Sequence, residues 1–377
     1  MQCHNFAQAA SRLGHRLVVV SRAAPGAPAF ERRASGIEVW RVGMPIQRKR
    51  LLGRTLDRIL HARSVAGRVI TLDATCQFDV IETSEAGLDG EQLVRDPRFC
   101  RRMVISCHGS NLRGQSIGPF AALHRQDWAW SARRERAVLQ RVPTVVVSSE
   151  ATRQVVLGQG IDPSKVHMIP LGIDTSRFVP ACAGREGPLV VGFVGRLEHT
   201  KGIEFVWRVL QRLGPSAGIR FRFKGAIHPA TKSETFRRLR DFGEFAEYHP
   251  PSDNSEMPEF YRSLDALLLP SRFENFGLTY IEAMASGLVV FAGRGGGGPE
   301  VVRDNVTGFL VDPDGHVDTV VERLLTLARD RQAFESISLA ARDSVVREFS
   351  SETFVARKIA LYEAIKALPQ AAGTPRR

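Results

Sequence analysis

Leu267-Leu-Leu-Pro270 runs directly into Ser271-Arg-Phe-Glu-Asn-Phe-Gly-Leu-Thr-Tyr-Ile-Glu-Ala-Met-Ala-Ser-Gly287, and this junction decides the fold class. The apolar run is too short for a buried helix and is bounded by Pro, so it predicts a central strand. Gly277 opens a helix on which Leu278, Ile281, Ala285 and Leu288 follow helical spacing, and Gly287 closes it as a C′ glycine. Strand, turn and helix in this order are the repeating unit of a parallel α/β sheet. Glu274 falls in the turn and Glu282 inside the helix, roughly 7–8 Å along the axis from Gly277 at about 1.5 Å per residue. The two carboxylates are therefore not side by side and do not form a general acid/base pair. Their offset suits a ligand with an anion at the helix N-terminus and a sugar hydroxyl further along. Taken alone, they read equally as a capping turn and a solvated helical Glu.

Upstream, Gly192-Phe-Val-Gly195-Arg196-Leu-Glu-His-Thr-Lys201-Gly202 follows another predicted strand. A strand, a Gly turn and a helix start make an anion site, because free amides and the helix dipole point at the ligand. Arg196 offers a planar fork and Lys201 a point charge, which together suit a diphosphate. The pattern is neither a Walker A loop nor Gly-x-Gly-x-x-Gly, so kinase and dehydrogenase readings lose support. Its plain alternative is a tight turn with surface cations. Downstream, Gly295–Gly298 precedes Pro299-Glu300, a Gly-rich loop leading into a helix with Pro in its first turn. Asp312-Pro-Asp314-Gly315 reads as a turn rather than a metal-binding Asp-x-Asp. No His/Cys/Glu cluster has metal-site spacing, so no metal is expected.

Glu274 and Glu282 with seven residues between them, Phe276-Gly277, the run Glu282-Ala-Met-Ala-Ser-Gly287 and the Gly195-Arg196…Lys201 turn resemble the signature of retaining GT-B glycosyltransferases, family 4. The resemblance covers the chain from about Phe6 to Leu368 and is firmest over residues 190–311. It implies two doubly wound, Rossmann-like domains facing a cleft. It also implies sugar transfer from a nucleotide-diphosphate donor to an acceptor hydroxyl with retention, without cofactor or metal. By the same resemblance Arg196 and Lys201 bind the leaving diphosphate, Glu282 the ribose hydroxyls and Glu274 the donor sugar. Gly195, Asn275 and the amides around Phe276, Gly277 and Leu278 meet the donor, and Gly297 and Gly298 line its pocket. That glycine run otherwise reads as a flexible connection. His108, at the end of the predicted strand Met103–Cys107, is assigned to the transferred sugar, and Ser148-Ser149 matches a serine segment near the cleft. The alternatives are a nucleotide-sugar epimerase of the same fold, a non-catalytic scaffold of the family, and a basic protein that binds anionic surfaces.

The rest of the chain fits an α/β reading. Its 377 residues, 43% hydrophobic and 24% charged, suffice for two domains. These are expected at 1–174 and 189–350, with a linker at 175–188 and a final helix over 351–377 crossing back to the first domain. Strands are predicted at Arg16–Ser21, Ile37–Val42, Phe78–Ile81, Met103–Cys107, Thr144–Ser148 and Val166–Pro170 in the first half. In the second they fall at Leu189–Val194, Arg220–Lys224, Ala266–Leu269, Leu288–Phe291 and Gly308–Val311. Met1 to Gly14 reads as a helix, whereas the resembled family has a strand and Gly-rich loop before it. The first strand is thus expected to be missing; a genuine loss would leave unpaired backbone, so a start placed too late or a truncated chain is expected rather than a deletion. Five scattered cysteines and no apolar run of spanning length lead to the expectation of a cytoplasmic protein. Residues 1–70 carry 13 Lys and Arg against 3 Asp and Glu. Within them, 47–63 reads as a basic amphipathic helix that either packs on the core or lies on an anionic membrane surface. The partners expected are a nucleotide sugar and a sugar, glycan or lipid-linked acceptor, with no nucleic acid.

Overall fold

The computed structural model describes residues 2–23, 26–43, 53–85, 88–108, 125–181 and 186–367. The chain divides into two compact units, Gln2–Pro170 together with the chain from Phe354 onward, and Leu171–Thr353.

In the first unit, α1 (Gln2–Arg12), β1 (Val18–Arg22), β2 (Phe30–Arg32) and β3 (Glu38–Val42) lead into the long α2 (Gly53–Cys76). There follow β4 (Ile81–Ser84), α3 (Pro97–Cys100), β5 (Met103–Cys107), α4 (Arg125–Arg141), β6 (Thr144–Val147), α5 (Glu150–Leu157) and β7 (Val166–Met168). Met-Val-Ile-Ser-Cys and Thr-Val-Val-Val are wholly buried, as β-branched central strands between helical layers should be. β4-β5-β6-β7 form one parallel sheet, and β1-β3-β2 a second, in which β2 alone runs antiparallel. Val20 and Val42 of the smaller sheet share one core with Ile81, Met103, Ile105 and Val145 of the larger. No strand joins β1 to β4 among the described residues, and most of both strands is only half-buried. The predicted strand at Phe78–Ile81 begins instead at Ile81. Phe78 is held in the preceding turn, its amide on Asp73 Oδ1 at 2.9 Å and its carbonyl on Arg102.

The basic segment 47–63 lies in part outside the described residues. Its described part is the start of α2, whose His61, Ala62, Val65, Ala66 and Val69 are buried. Arg58 donates to Ser131 Oγ of α4 at 2.6 Å, so this stretch packs inward. No helix among the described residues is long and apolar enough to cross a membrane.

The C-terminal helix Ser351–Ala367 belongs to the first unit from Phe354 on. Phe6 packs edge-on against Phe354 and Tyr362, at 6.1 and 5.8 Å between ring centroids. Lys358, 5% exposed, pairs with Glu82 of β4, which also accepts from Tyr362 and from Ser106 Oγ. Glu82→Ala should cost about 3–5 kcal/mol, because it strands a buried ammonium. Urea unfolding would register this, and a loss below about 1 kcal/mol would show that Lys358 finds water.

The second unit alternates strands and helices throughout: β8 (Leu189–Val194), α6 (Ile203–Leu213), β9 (Ile219–Lys224), α7 (Lys232–Phe242), β10 (Ala246–His249), α8 (Met257–Arg262) and β11 (Ala266–Leu269). It continues with α9 (Leu278–Ala285), β12 (Val289–Gly293), α10 (Gly298–Val301), β13 (Phe309–Val311), α11 (Asp318–Arg329) and α12 (Glu335–Glu348). All six strands are parallel, in the order β10-β9-β8-β11-β12-β13. Chain order reverses between β8 and β11, and a doubly wound sheet opens its ligand crevice at the carboxyl ends flanking such a reversal. Two strands carried too little apolar signal to be predicted. β10 reads Ala-Glu-Tyr-His at the sheet edge, and β2 spans three residues.

Candidate functional site

The turns after β8 and β11, whose Lys201 and Glu274 are 73 residues apart in sequence, lie on one another at the reversal point. Arg272 N donates to Thr200 O at 3.0 Å. Gly202, at φ +73°, sits so close that a Cβ there would stand 2.0 Å from Pro270 O. This apposition carries Lys201 Nζ to 2.6 Å from Glu274 Oε1, and Ser271 Oγ donates to the same oxygen at 2.7 Å. Oε2 of Glu274 has no protein donor among the described residues, so it is the oxygen available to a ligand hydroxyl. Ser271 is fully buried and was quoted in the sequence without a role; only the folded turn shows what it holds.

Arg196 points outward, its side chain 65% exposed, and pairs with Glu198 at 2.9 Å. Glu198 also accepts from Thr200, so the cation stands on a braced turn. Gly195, at φ +151°, donates its amide to Lys224 O at 2.9 Å.

The helix expected after β11 starts at Leu278, with Gly277 at φ +105° as its cap residue. Its first intrahelical bonds come from Tyr280 N and Ile281 N to Gly277 O, at 2.9 and 3.3 Å. The amides of Gly277, Leu278 and Thr279 therefore precede the ladder, as an anion at a helix start requires. Phe276 is buried, its ring edge-on to Phe349 at 5.6 Å, so its side chain is core and only its backbone can face a donor. Tyr280 braces the same turn by donating to Leu269 O at 3.0 Å and accepting from Gly293 N at 3.2 Å.

The glycine loop is not a slack connection. Gly296 pairs with Glu274 as an isolated parallel bridge; Glu274 N donates to Gly295 O at 3.2 Å and Gly297 N to Glu274 O at 2.8 Å. A Cβ on Gly297 would stand 2.9 Å from Asn275 O, and one on Gly298 2.2 Å from Gly293 O. The loop is glycine because it lies backbone to backbone on the Glu274 turn. Asn275 lies between these contacts.

Glu282 is buried, not solvated as the plain helical reading had it. Tyr261 donates to its Oε2 at 2.8 Å. Burial raises the carboxyl to about 7, while the Tyr261 bond and the Arg177 guanidinium pull it down. Tyr261 and Arg177 carried no local signal in the sequence, since each comes from a different segment of the unit.

Three other expectations meet a plainer geometry. Asp312 Oδ1 accepts from Asp314 N at 2.9 Å, and Asp314 pairs with Arg272 at 2.5 Å, so Asp-Pro-Asp-Gly is a turn tied to the β11 loop. Ser149 caps α5 by accepting from Thr152 N at 3.0 Å, so it serves the helix start, while the buried Ser148 hydroxyl has no hydrogen-bond partner among the described residues. His108 belongs to the first unit, at the end of β5. Its side chain is exposed and its amide donates to Glu85 Oε1 at 2.9 Å. The residues after it lie outside the described part of the chain.

A six-stranded parallel sheet with a reversal of chain order between β8 and β11 defines a doubly wound α/β class of unit. Residues 179–344 match the family described as glycosyl transferases group 1, and residues 1–177 match glycosyltransferase family 4. The chain belongs to this glycosyltransferase family.

Among curated proteins it is similar to the MMP α-(1→4)-mannosyltransferase of Mycolicibacterium hassiacum, 25% identical over 310 residues, covering 80% of this chain and 73% of that protein. It is also similar to the D-inositol 3-phosphate glycosyltransferase of Actinosynnema mirum, 34% identical over 168 residues, covering 40% of each. The chain spans half or less of the inositol-phosphate enzymes it matches. Among solved structures, sucrose-phosphate synthase of Thermosynechococcus elongatus superposes with a TM-score of 0.81 at 19% identity, covering 97% of this chain and 92% of that one. Anabaena HepE, solved with UDP and glucose, gives 0.70 at 19% identity, covering 94% and 100%. These likenesses give the fold: GT-B.

Proposed function

We propose that the chain transfers a sugar from a nucleoside-diphosphate donor to an acceptor hydroxyl with retention at the anomeric carbon. The observation that carries this reading is the Lys201–Glu274 contact beside the free amides that open α9. It puts a sugar-hydroxyl acceptor and the diphosphate-binding groups at one crevice. Departure of the diphosphate leaves an oxocarbenium-like sugar and a growing negative charge. Arg196, Lys201 and the Gly277–Thr279 amides meet that charge, and such preorganised donors are the largest single contribution in many enzymes. These groups supply positive charge from the protein itself, so the reading calls on no metal or cofactor. A phosphate oxygen of the leaving group takes the acceptor's proton on the same face, and no protein base is called for. Glu282 Oε1 takes the ribose hydroxyls, and His108 contacts the transferred sugar. The acceptor is a sugar, glycan or lipid-linked sugar, which places the protein in polysaccharide, lipopolysaccharide or glycolipid synthesis.

Calorimetric titration with UDP, GDP and ADP tests the reading. UDP comes first because HepE, which shares the fold, was solved with it. Micromolar binding of one nucleotide, lost in Lys201→Ala and Glu282→Ala, is the expected result, followed by turnover with sugars of that nucleotide. Binding by none of the three would point to the scaffold reading.

A further inference from the structure

We propose that Tyr261 is a positioning residue for Glu282: its hydroxyl occupies one carboxylate oxygen and presents the other, ionised, to the ribose hydroxyls of a nucleoside diphosphate. This rests on the ribose role proposed for Glu282 and adds the residue that controls it.

Tyr261 lies on α8 and Glu282 on α9, and the two are 0% and 6% exposed. The tyrosine Oη donates to Oε2 at 2.8 Å. Oε1 has no hydrogen-bond partner among the described residues, yet it is not one of the fully buried unpartnered atoms, so it is the oxygen that reaches solvent. The tyrosine ring is fixed on its other side by Phe178, edge-on at 5.8 Å, and Thr279 hydrogen-bonds the same hydroxyl. A hydroxyl can donate to a carboxylate oxygen in this way only while that oxygen is free of a proton, so the bond both orients the group and favours its charged form.

The other charged groups facing this carboxylate are few. Arg177 approaches from the segment ahead of β8 and favours the ionised carboxylate. Arginines stay cationic at any working pH. The Tyr261 hydroxyl is pushed well above its ordinary range by burial, so it remains a donor through pH 9. Glu282 is thus the group in this cluster that titrates near neutrality.

The raised acid is protonated below its pKa and becomes the required acceptor above it. Removing the hydroxyl takes away a bond that is stronger to the ionised form, which moves that pKa up and raises the proton affinity by about tenfold. Nucleotide binding by Tyr261→Phe should then be about tenfold weaker than wild type at pH 6.5, with the gap closing by pH 9. A loss of packing alone would weaken binding by the same factor at every pH.

The test is calorimetric titration of wild type, Tyr261→Phe, Glu282→Gln and the double variant with whichever of UDP, GDP or ADP the wild type binds, at pH 6.5, 7.5 and 9. The expected pattern is a pH-dependent deficit in Tyr261→Phe that falls below about twofold when Glu282→Gln is also present. Wild-type affinity in Tyr261→Phe at all three pH values overturns the proposal, and so does a deficit independent of pH. In either case, loss of binding in Glu282→Gln alone would leave the ribose reading standing. If Glu282→Gln binds as wild type does, the ribose reading fails and this inference falls with it. Should Tyr261→Phe not fold, proton release by the wild type decides: binding at pH 6.5 must release protons from Glu282, and no release overturns the proposal.

Discussion

Lys201→Ala is expected to lower turnover by on the order of 10²-fold or more. The ammonium serves two charges. It holds Glu274 Oε1 at 2.6 Å and stands on the turn after β8, where the proposed reaction gathers charge on the departing diphosphate. Its side chain is 21% exposed, so water screens it only in part. Alanine removes the cation and loosens the carboxylate that orients the sugar, two losses acting on the same transition state. Lys201→Arg should not restore activity, because a planar fork cannot replace a point charge that pairs with Glu274 Oε1 and is proposed to meet the phosphate. Ser271→Ala is the informative companion. It drops one hydrogen bond to Glu274 and keeps the cation, so turnover should fall by only about three- to tenfold. Initial rates with the donor found by calorimetry measure all three. Turnover of Lys201→Ala within threefold of wild type would reduce the residue to a surface tether.

Gly296→Ala should cost about 2–5 kcal/mol of stability and weaken nucleotide binding with it. Gly296 adopts φ +69°, where an L side chain is strained by about 1–2 kcal/mol. Its Cβ would also stand 2.0 Å from Glu274 O, so the two backbones must part. Overpacking of that kind costs typically 1–3 kcal/mol. The contact at stake is the bridge that sets the Glu274 turn, which is why a change far smaller than a lost charge reaches the site. Urea unfolding and nucleotide titration of the same sample check both effects. A loss under 0.5 kcal/mol with normal binding would mean that the loop has room the geometry does not show. Gly43, whose added Cβ would meet nothing within 4 Å, is a suitable control.

Much of this architecture was legible locally. Leu189–Val194, Met103–Cys107 and Ala266–Leu269 appear as strands with the predicted limits, because continuous apolar runs bounded by turn residues have few other ways to bury themselves. Ile203–Leu213 is a helix whose buried Phe205, Val206, Val209 and Leu210 fall at helical spacing in the sequence. Strands short on apolar residues were not legible: β10 and β2 owe their conformation to the neighbour they pair with, a force with no local pattern. The limits of Ile81–Ser84 were set by Arg102 and Asp73 holding Phe78 in the turn, again a contact from elsewhere in the chain.

At the candidate site the division runs the same way. Residue type and spacing along one turn and one helix left Arg196, Lys201, Glu274 and Glu282 open between an anion and sugar site and a capped turn with surface charges, and it was the resemblance to the glycosyltransferase family that singled them out. By itself the amino-acid order thus determined the alternating α/β build of the chain, the turn-to-helix junctions and the residue types standing on them. Only the tertiary structure decided what those residues meet. Closing the sheet between β8 and β11 put Lys201 on Glu274, and packing α8 against α9 buried Glu282 under Tyr261. It also pressed the glycine loop onto the Glu274 backbone. Each of these joins groups from 21 to 73 residues apart, and a charge or a hydroxyl acts on whatever lies within a few ångströms of it, whichever part of the chain supplies it.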